Sequence, residues 1–303
     1  MSSSPVIRIG TRGSDLALWQ ARFLQRELEG LNVASELQII KTQGDRVQHL
    51  SLDKLEGKGF FTKELEEALL AGDVHVAVHS MKDLPTTSPA GLVIAGVSKR
   101  ADPTDWLLVR GDAADPAHVW KLPQVAKVGT SSARRKAQLK ALRPDVELVD
   151  IRGNVPTRIA KLREGQFDAI VLAAAGITRL GLDVDDLAVS ELHPREFVPA
   201  PAQGVLAYQC REDDLDTRRL LAKIHHGPTA ACTNVERSLL RSFDGGCHLP
   251  LGAYCVHEHG AYHLSAAYAP AADAPIVRKR LSYNTFDGLA ADMHAALTEL
   301  AAA

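Results

Sequence analysis

The chain reads as an α/β protein of two lobes followed by a smaller α+β domain, and three features of the sequence carry that expectation. Its 303 residues exceed what one hydrophobic core usually organises. Short apolar runs with the two-residue period of a strand alternate with stretches whose apolar residues recur at helical spacing, which is the pattern of βαβ units. Basic and hydroxyl side chains then fall just past the strand ends, where ligands sit in open α/β sheets. The balance of 35 Lys and Arg against 37 Asp and Glu argues against a nucleic-acid or membrane-surface binder. There is no charged leader ahead of an apolar core at the N-terminus, and the longest apolar run, Ala169–Ala175, is too short to span a bilayer. Four cysteines with no Cys-x-x-Cys pair make no disulfide framework. A soluble, reduced, cytoplasmic protein is expected.

Val6–Ile9 is a strand that runs into Gly10-Thr-Arg-Gly-Ser14. Ser14 is placed to cap a helix with Asp15 in its first turn, and Leu16, Trp19, Phe23, Leu24 and Leu28 recur along it. Arg12 falls in the ligand-facing loop. Leu37–Thr42 reads as a second strand. Residues 44–59 lack periodicity and hold Lys54 and Gly57-Lys58-Gly59, so they form either a lid or a disordered surface loop. Thr62 is expected to cap a helix through Leu65, Leu69 and Leu70 that stops at Gly72. Next, Val74, Val76 and Val78 alternate with His75, Ala77 and His79 as a strand. At its end Ser80, Lys82 and Asp83 bring a hydroxyl, a cation and a carboxylate together before Pro85 breaks the pattern. Leu92–Val97 is a further strand, and Arg100–Asp105 reads as a crossing between lobes.

Trp106–Val109 opens the second α/β series. Val128-Gly-Thr-Ser-Ser-Ala-Arg-Arg135 passes from a strand into a helix, Lys136–Leu142. The hydroxyls of Thr130, Ser131 and Ser132 and the free N–H groups of the first helical turn form an anion site, with Arg134 and Arg135 adding charge. Glu147–Ile151 is a strand ending at Arg152-Gly-Asn-Val-Pro-Thr-Arg158, with Pro156 near a helix start. Phe167–Leu172 is a buried strand followed by Arg179. Five arginines past the strand ends of one sheet fit bidentate recognition of carboxylate or phosphate. Neither Gly-x-x-x-x-Gly-Lys-[Ser/Thr] nor Gly-x-Gly-x-x-Gly occurs, which turns the expectation from nucleotides to a ligand with several carboxylates. Among these cations Asp83 stands as the one anion.

Phe197–Gly204 is a Pro-rich connector, and Val205–Cys210 is a strand expected to return to the first sheet, so that two crossing segments join lobes around a cleft. Helices follow at Leu215–Ile224 and Asn234–Phe243, and then Asp244-Gly-Gly-Cys-His248 presents Cys247 on an open loop. Cys255, His257 and His259 would share one face of a strand as metal ligands could. However, His259-Gly260 reads as the turn of a hairpin between Ala253–Val256 and Tyr262–Tyr268, which takes His259 off that face, and no metal is expected. A terminal helix runs from Asp287 through Leu300.

In order along the chain, Ile9-Gly-Thr-Arg-Gly-Ser14, Gly57-Lys-Gly-Phe-Phe-Thr-Lys-Glu-Leu-Glu66, Val78-His-Ser-Met-Lys-Asp83, Gly129-Thr-Ser-Ser-Ala-Arg-Arg135, Arg152-Gly-Asn154 and Gly245-Gly-Cys247 resemble the porphobilinogen deaminases (hydroxymethylbilane synthases). The resemblance covers essentially the whole chain. It implies two lobes like those of type II periplasmic binding proteins, residues 1–103 with 199–218 and residues 104–198, plus an α+β third domain, residues 219–303, with an antiparallel sheet. It implies one dipyrromethane cofactor, bound as a thioether to Cys247 and held by Ser80, Lys82, Asp83, Thr130, Ser131, Ser132, Arg134 and Arg135. Porphobilinogen, the small-molecule substrate, would meet Arg12, Ser14, Gln20, Lys54, Lys58, Arg152, Arg158, Arg179 and Gln203, with Asp83 catalytic. The resemblance further implies a monomer whose product passes to uroporphyrinogen-III synthase. The family usually has Gly where Ala202 stands, Glu where Gln209 stands and a small residue where Trp106 stands.

Overall fold

A computed structural model of the chain describes residues 6–42, 62–244, 249–271 and 274–303. The chain divides into two compact units, Met1–Ala101 with Val205–Ala230, and Asp102–Gly204 with Ala231–Ala303. Among the described residues no helix is long and apolar enough to cross a membrane.

The sheet of the first unit is built from β1 (Ile7–Thr11), β2 (Ser35–Ile39), β3 (Val76–Ser80), β4 (Leu92–Val97) and β10 (Leu206–Arg211), in the order β2-β1-β3-β10-β4. β1 runs parallel to β2 and β3, while β10 is antiparallel to β3 and β4. The pleat sends alternate side chains to opposite faces. Val76 and Val78 pack with Leu24 and Leu28 of helix α1 (Asp15–Glu29), whereas Ala77 faces Leu65 and Leu69 of helix α2 (Lys63–Ala71). Packing on both faces leaves β3 buried at every position but the last.

The second unit repeats the plan. Its sheet holds β5 (Asp105–Arg110), β6 (Lys127–Gly129), β7 (Glu147–Val149), β8 (Ala169–Ala173) and β9 (Leu187–Leu192), in the order β7-β6-β8-β5-β9. β6 is parallel to β7 and β8, and β5 is antiparallel to β8 and β9. In each sheet the antiparallel member is thus a strand that follows a passage from the other unit, inserted between the third and fourth strands. Helices α3 (Ala133–Leu142), α4 (Val155–Arg163) and α5 (Ala174–Leu180) follow β6, β7 and β8 in turn. Beyond helices α6 (Leu215–Ala222) and α7 (Gly227–Ser242), the strands β11 (Leu251–Glu258), β12 (Ala261–Tyr268) and β13 (Val277–Tyr283) form an antiparallel sheet. Leu239 of α7 and Met293 and Leu297 of helix α8 (Leu289–Ala302) cover one of its faces, against Ala253, Cys255 and Leu264.

Several local expectations shift. The strand expected at Leu37–Thr42 instead runs Ser35–Ile39, and its exposed residues mark a sheet edge. Thr62 precedes α2 in αR geometry and its side chain caps nothing; Gly72, at φ 77°, ends the helix as expected. Helix α3 starts at Ala133 rather than Lys136, because Ser132 Oγ accepts from Arg135 N and closes the first turn earlier. Helix α7 likewise starts seven residues before Asn234. The hairpin at His259-Gly260 is present, both residues having positive φ. The edge strand β9 has no counterpart among the sequence expectations.

Candidate active site

Because β1 and β3 run parallel, the loops that follow them emerge at the same end of the first sheet. Arg12 and Ser14 follow β1, and Ser80 through Asp83 follow β3, where residues 81–83 make one 3-10 turn. Met81 N donates to Val205 O at 2.9 Å, which pins the start of that turn to the chain entering β10. Ser14 is the N-cap of α1, its Oγ accepting from Ala17 N at 3.4 Å. The buried Gln20, one turn further along α1, donates through Nε2 to Ser80 Oγ at 2.8 Å, so helix and loop are tied together. Lys82 is half-buried and Asp83 is exposed. No ion pair among the described residues engages the Asp83 carboxylate.

Behind this loop lies a buried polar row. His79 Nε2 and Gln209 Oε1 are 3.1 Å apart, and Gln209 Nε2 donates to Glu66 Oε1 at 3.3 Å. Since the amide nitrogen of Gln209 serves the carboxylate, its oxygen faces His79, which must carry its proton on Nε2. Burial drives the His79 pKa down, with the Gln209 bond pulling upward and the Arg12 charge pushing further down; the result is about 4. His79 is neutral at physiological pH.

In the second unit the parallel run β7-β6-β8 brings three loop ends to one edge. After β6, Ser131 Oγ donates to Ile151 O at 2.8 Å and accepts from Ile151 N at 3.1 Å, so the hydroxyl loop is laced to the chain leaving β7. Thr130 is buried, and its Oγ1 accepts from Ser132 N at 3.3 Å. After β7, Arg152 is half-buried, and Asn154 caps α4 by accepting from Thr157 N at 2.9 Å. Arg158 Nε donates to Gly153 O at 2.8 Å. After β8 the chain enters α5 at once, so Arg179 sits in the last turn of that helix rather than at the strand end, where its Nη2 donates to Gly204 O at 2.7 Å.

Arg134 and Arg135, read as loop cations in the sequence, sit in the first turn of α3 and are only 5% and 7% exposed. Asp105, fully buried, faces them both: its register partner on β8 is Ala173, the last residue of that strand, so it stands at the same edge. Arg134 Nη1 donates to Asp105 Oδ2 at 2.8 Å, and Arg135 Nε and Nη2 donate to Oδ1 at 3.1 and 2.7 Å. Burial opposes the Asp105 charge, but the two guanidinium groups outweigh it and hold the carboxyl far below the usual range. Gln203 reaches the same carboxylate: its Nε2 donates to Asp105 Oδ1 at 3.0 Å and to Pro103 O at 2.8 Å. Asp83 is therefore not the one anion among the strand-end cations.

The connector is held from its other side by Glu236 of α7, which is fully buried. Its Oε2 accepts from Ala202 N at 2.6 Å and its Oε1 from Cys255 N at 2.7 Å. Ala202 has φ 61°, a conformation that favours the glycine usual at this place. Cys255 is buried in the core beneath β11, and the His257 ring lies 4.4 Å from that of Tyr262. Cys247, Lys54 and Lys58 lie outside the described residues.

Residues 7–219 match the family model for the porphobilinogen deaminase, dipyromethane cofactor binding domain, and residues 230–267 match that for the porphobilinogen deaminase C-terminal domain. The chain belongs to the porphobilinogen deaminase family. It is 45% identical over 266 residues to the porphobilinogen deaminase of Syntrophobacter fumaroxidans, covering 87% of this chain and 84% of that one. The enzyme of Trichlorobacter lovleyi is 45% identical over 287 residues, with 93% and 89% covered. Among solved structures, the periplasmic VFT2 domain of Bordetella pertussis BvgS aligns at a TM-score of 0.45 and 15% identity, over 80% of this chain and 94% of that one.

Reading along the sequence passed over Asp105 and Glu236. Asp105 was legible only as part of a crossing segment, and Glu236 as one polar position on an amphipathic helix. The available signal was a carboxylate at a strand start, within a Pro-containing connector, in a chain with arginines to spare.

Proposed function

We propose that this chain acts as a hydroxymethylbilane synthase. It joins four porphobilinogen molecules head to tail, releasing ammonia each time, onto a dipyrromethane anchored at Cys247, and then hydrolyses off the linear hydroxymethylbilane of tetrapyrrole biosynthesis. The observation that carries this reading is the Asp83 carboxylate, exposed at the end of β3 and engaged in no ion pair among the described residues, in a chain whose other strand ends are basic.

The donor set fits the cofactor. Hydroxyls at the start of α3 and guanidinium groups at three strand ends suit a group with two carboxylates on each pyrrole ring. When bound, the dipyrromethane supplies the pyrrole carbon to which the first substrate is joined and remains as primer. Ser80, Lys82, Thr130, Ser131, Ser132, Arg134 and Arg135 would hold it, while Arg12, Ser14, Gln20, Lys54, Lys58, Arg152, Arg158, Arg179 and Gln203 serve the substrate. Gln20 acts through Ser80, whose hydroxyl it orients, and Gln203 acts through Asp105, to which its amide donates.

Loss of ammonia from porphobilinogen leaves an electron-poor ring whose positive charge is shared with the pyrrole nitrogen. Asp83, accepting from pyrrole N–H groups, stabilises that charge where it develops. It also relays a proton to the departing amine and takes one from the ring carbon after coupling. Cys247 anchors and does not turn over, since its thioether persists. The organisation that goes with this reading is two α/β domains, residues 1–103 with 199–218 and residues 104–198, and a third domain at 219–303. The enzyme is read as a cytoplasmic monomer that hands its product to uroporphyrinogen-III synthase.

Intact-protein mass spectrometry of the purified protein tests the reading. A mass increment equal to a dipyrromethane is expected, with a ladder of one-pyrrole steps on limiting porphobilinogen. Active protein with unmodified Cys247 would overturn it. Asp83→Asn is expected to retain the cofactor mass and lose at least about a hundredfold in turnover; near-normal rates would remove Asp83 from its role.

A further inference from the structure

Two adjacent guanidinium groups repel, and burying both uncompensated is costly. Asp105 divides its oxygens between them: Oδ2 takes Arg134, and Oδ1 takes Arg135 through two nitrogens. Backbone carbonyls add to the fixation, Val198 O for Arg134 and Val171 O for Arg135, at 2.8 and 2.9 Å. Among the described residues the hydrogen bonds of Arg134 run through Nη1 alone, so Nε and Nη2 remain for a ligand. The cluster carries two cations and one anion, a net single positive charge at the edge from which the β6 and β7 loops emerge.

We propose that Asp105 is a positioning residue of the synthase, holding Arg134 and Arg135 side by side as one net positive charge matched to a single carboxylate of the bound pyrrole chain. The inference rests on the reading above, in which these arginines bind pyrrole carboxylates. Asp105 acts through them and does not itself meet the ligand. A carboxylate arriving at the cluster completes its charge balance, so ligand and Asp105 share the task of compensating the guanidinium groups.

The test compares wild type with Asp105→Asn as full-length protein, both loaded with cofactor and cofactor-free from cells unable to make porphobilinogen. Without Asp105 the cofactor-free form should lose more thermal stability than the loaded form, so the rise in melting midpoint on loading widens. The primer would be misplaced, so kcat should fall about tenfold or more while KM shifts by less than about threefold. Equal losses in both forms with kcat unchanged would make Asp105 a packing residue and overturn the proposal. If Asp105→Asn does not accumulate, Gln203→Met removes a donor to Oδ1 and leaves both guanidinium contacts. A fall in kcat of about two- to fivefold is then expected, and wild-type kcat overturns the proposal. Wild-type loading and turnover in both Arg134→Gln and Arg135→Gln would instead sink the reading that these arginines bind the pyrrole chain. Impaired arginine variants beside a normal Asp105→Asn would sink only the role of Asp105.

Discussion

The neutral, buried His79 makes a prediction about pH that can be worked through from the structure. Its pKa is about 4 in the folded chain against an ordinary value of 6.5. Above the ordinary value both folded and unfolded states are neutral, and the histidine costs nothing. As pH falls through that value the unfolded chain takes up the proton first, so stability is lost progressively until about pH 4, where the folded state also binds it. A gap of two to three pH units at about 1.4 kcal/mol each amounts to about 3 kcal/mol at completion. The group is buried, so solvent screening does not discount this figure much. Carboxylates titrate over the same range, and comparison with His79→Gln removes their common contribution. The stability advantage of wild type over that variant, from urea unfolding, should shrink by roughly 2 to 3 kcal/mol between about pH 7.5 and about pH 4.5. An NMR titration of the His79 ring should show its midpoint near 4. A midpoint at or above about 6, or a stability difference that ignores pH, would refute the reasoning. Gln209→Glu supplies the carboxylate usual in the family and should raise the midpoint by at least about one unit; no upward movement would show that the Gln209 side chain does not govern this histidine.

Other predictions follow from close contacts in the second unit. A Cβ on Gly252 would meet Val198 O at 2.6 Å, so Gly252→Ala should lower stability by about 1–3 kcal/mol, read as a drop in thermal midpoint; an unchanged midpoint would show that the connector yields freely. Glu236→Gln leaves one of two buried backbone N–H groups without its acceptor, at a cost of about 1–3 kcal/mol measurable by chemical unfolding. Ala202→Gly relieves a left-handed alanine, worth about 1–2 kcal/mol, against an entropy loss of about 0.4–1 kcal/mol in the unfolded chain. The midpoint should hold or rise, and a clear fall would mean that the methyl group packs favourably at φ 61°.

The sequence by itself determined the alternation of strands and helices, because burial on both faces of a parallel sheet writes near-continuous apolar runs and helices write a longer period. It also placed Arg12, Asp83 and Arg152 just beyond the β segments, since that relation is local in the chain, whereas Arg158 and Arg179 lie within the helices that follow. Ser14, Pro156 and Gly72 were legible as helix-boundary signals for the same reason. What it could not determine was which of its charges meet. Asp105 and Arg134 are 29 residues apart, and Asp105 and Gln203 are 98 apart; only the antiparallel insertion of β5 beside β8 brings that carboxylate to the basic edge. His79 and Gln209 are 130 residues apart, joined by the return of β10 alongside β3. Local spacing encodes which residues lie at strand ends, but the charge state and direction of each group depend on partners supplied by distant segments. The tertiary structure alone decided that Arg134 and Arg135 are buried against an anion while Asp83 stands exposed.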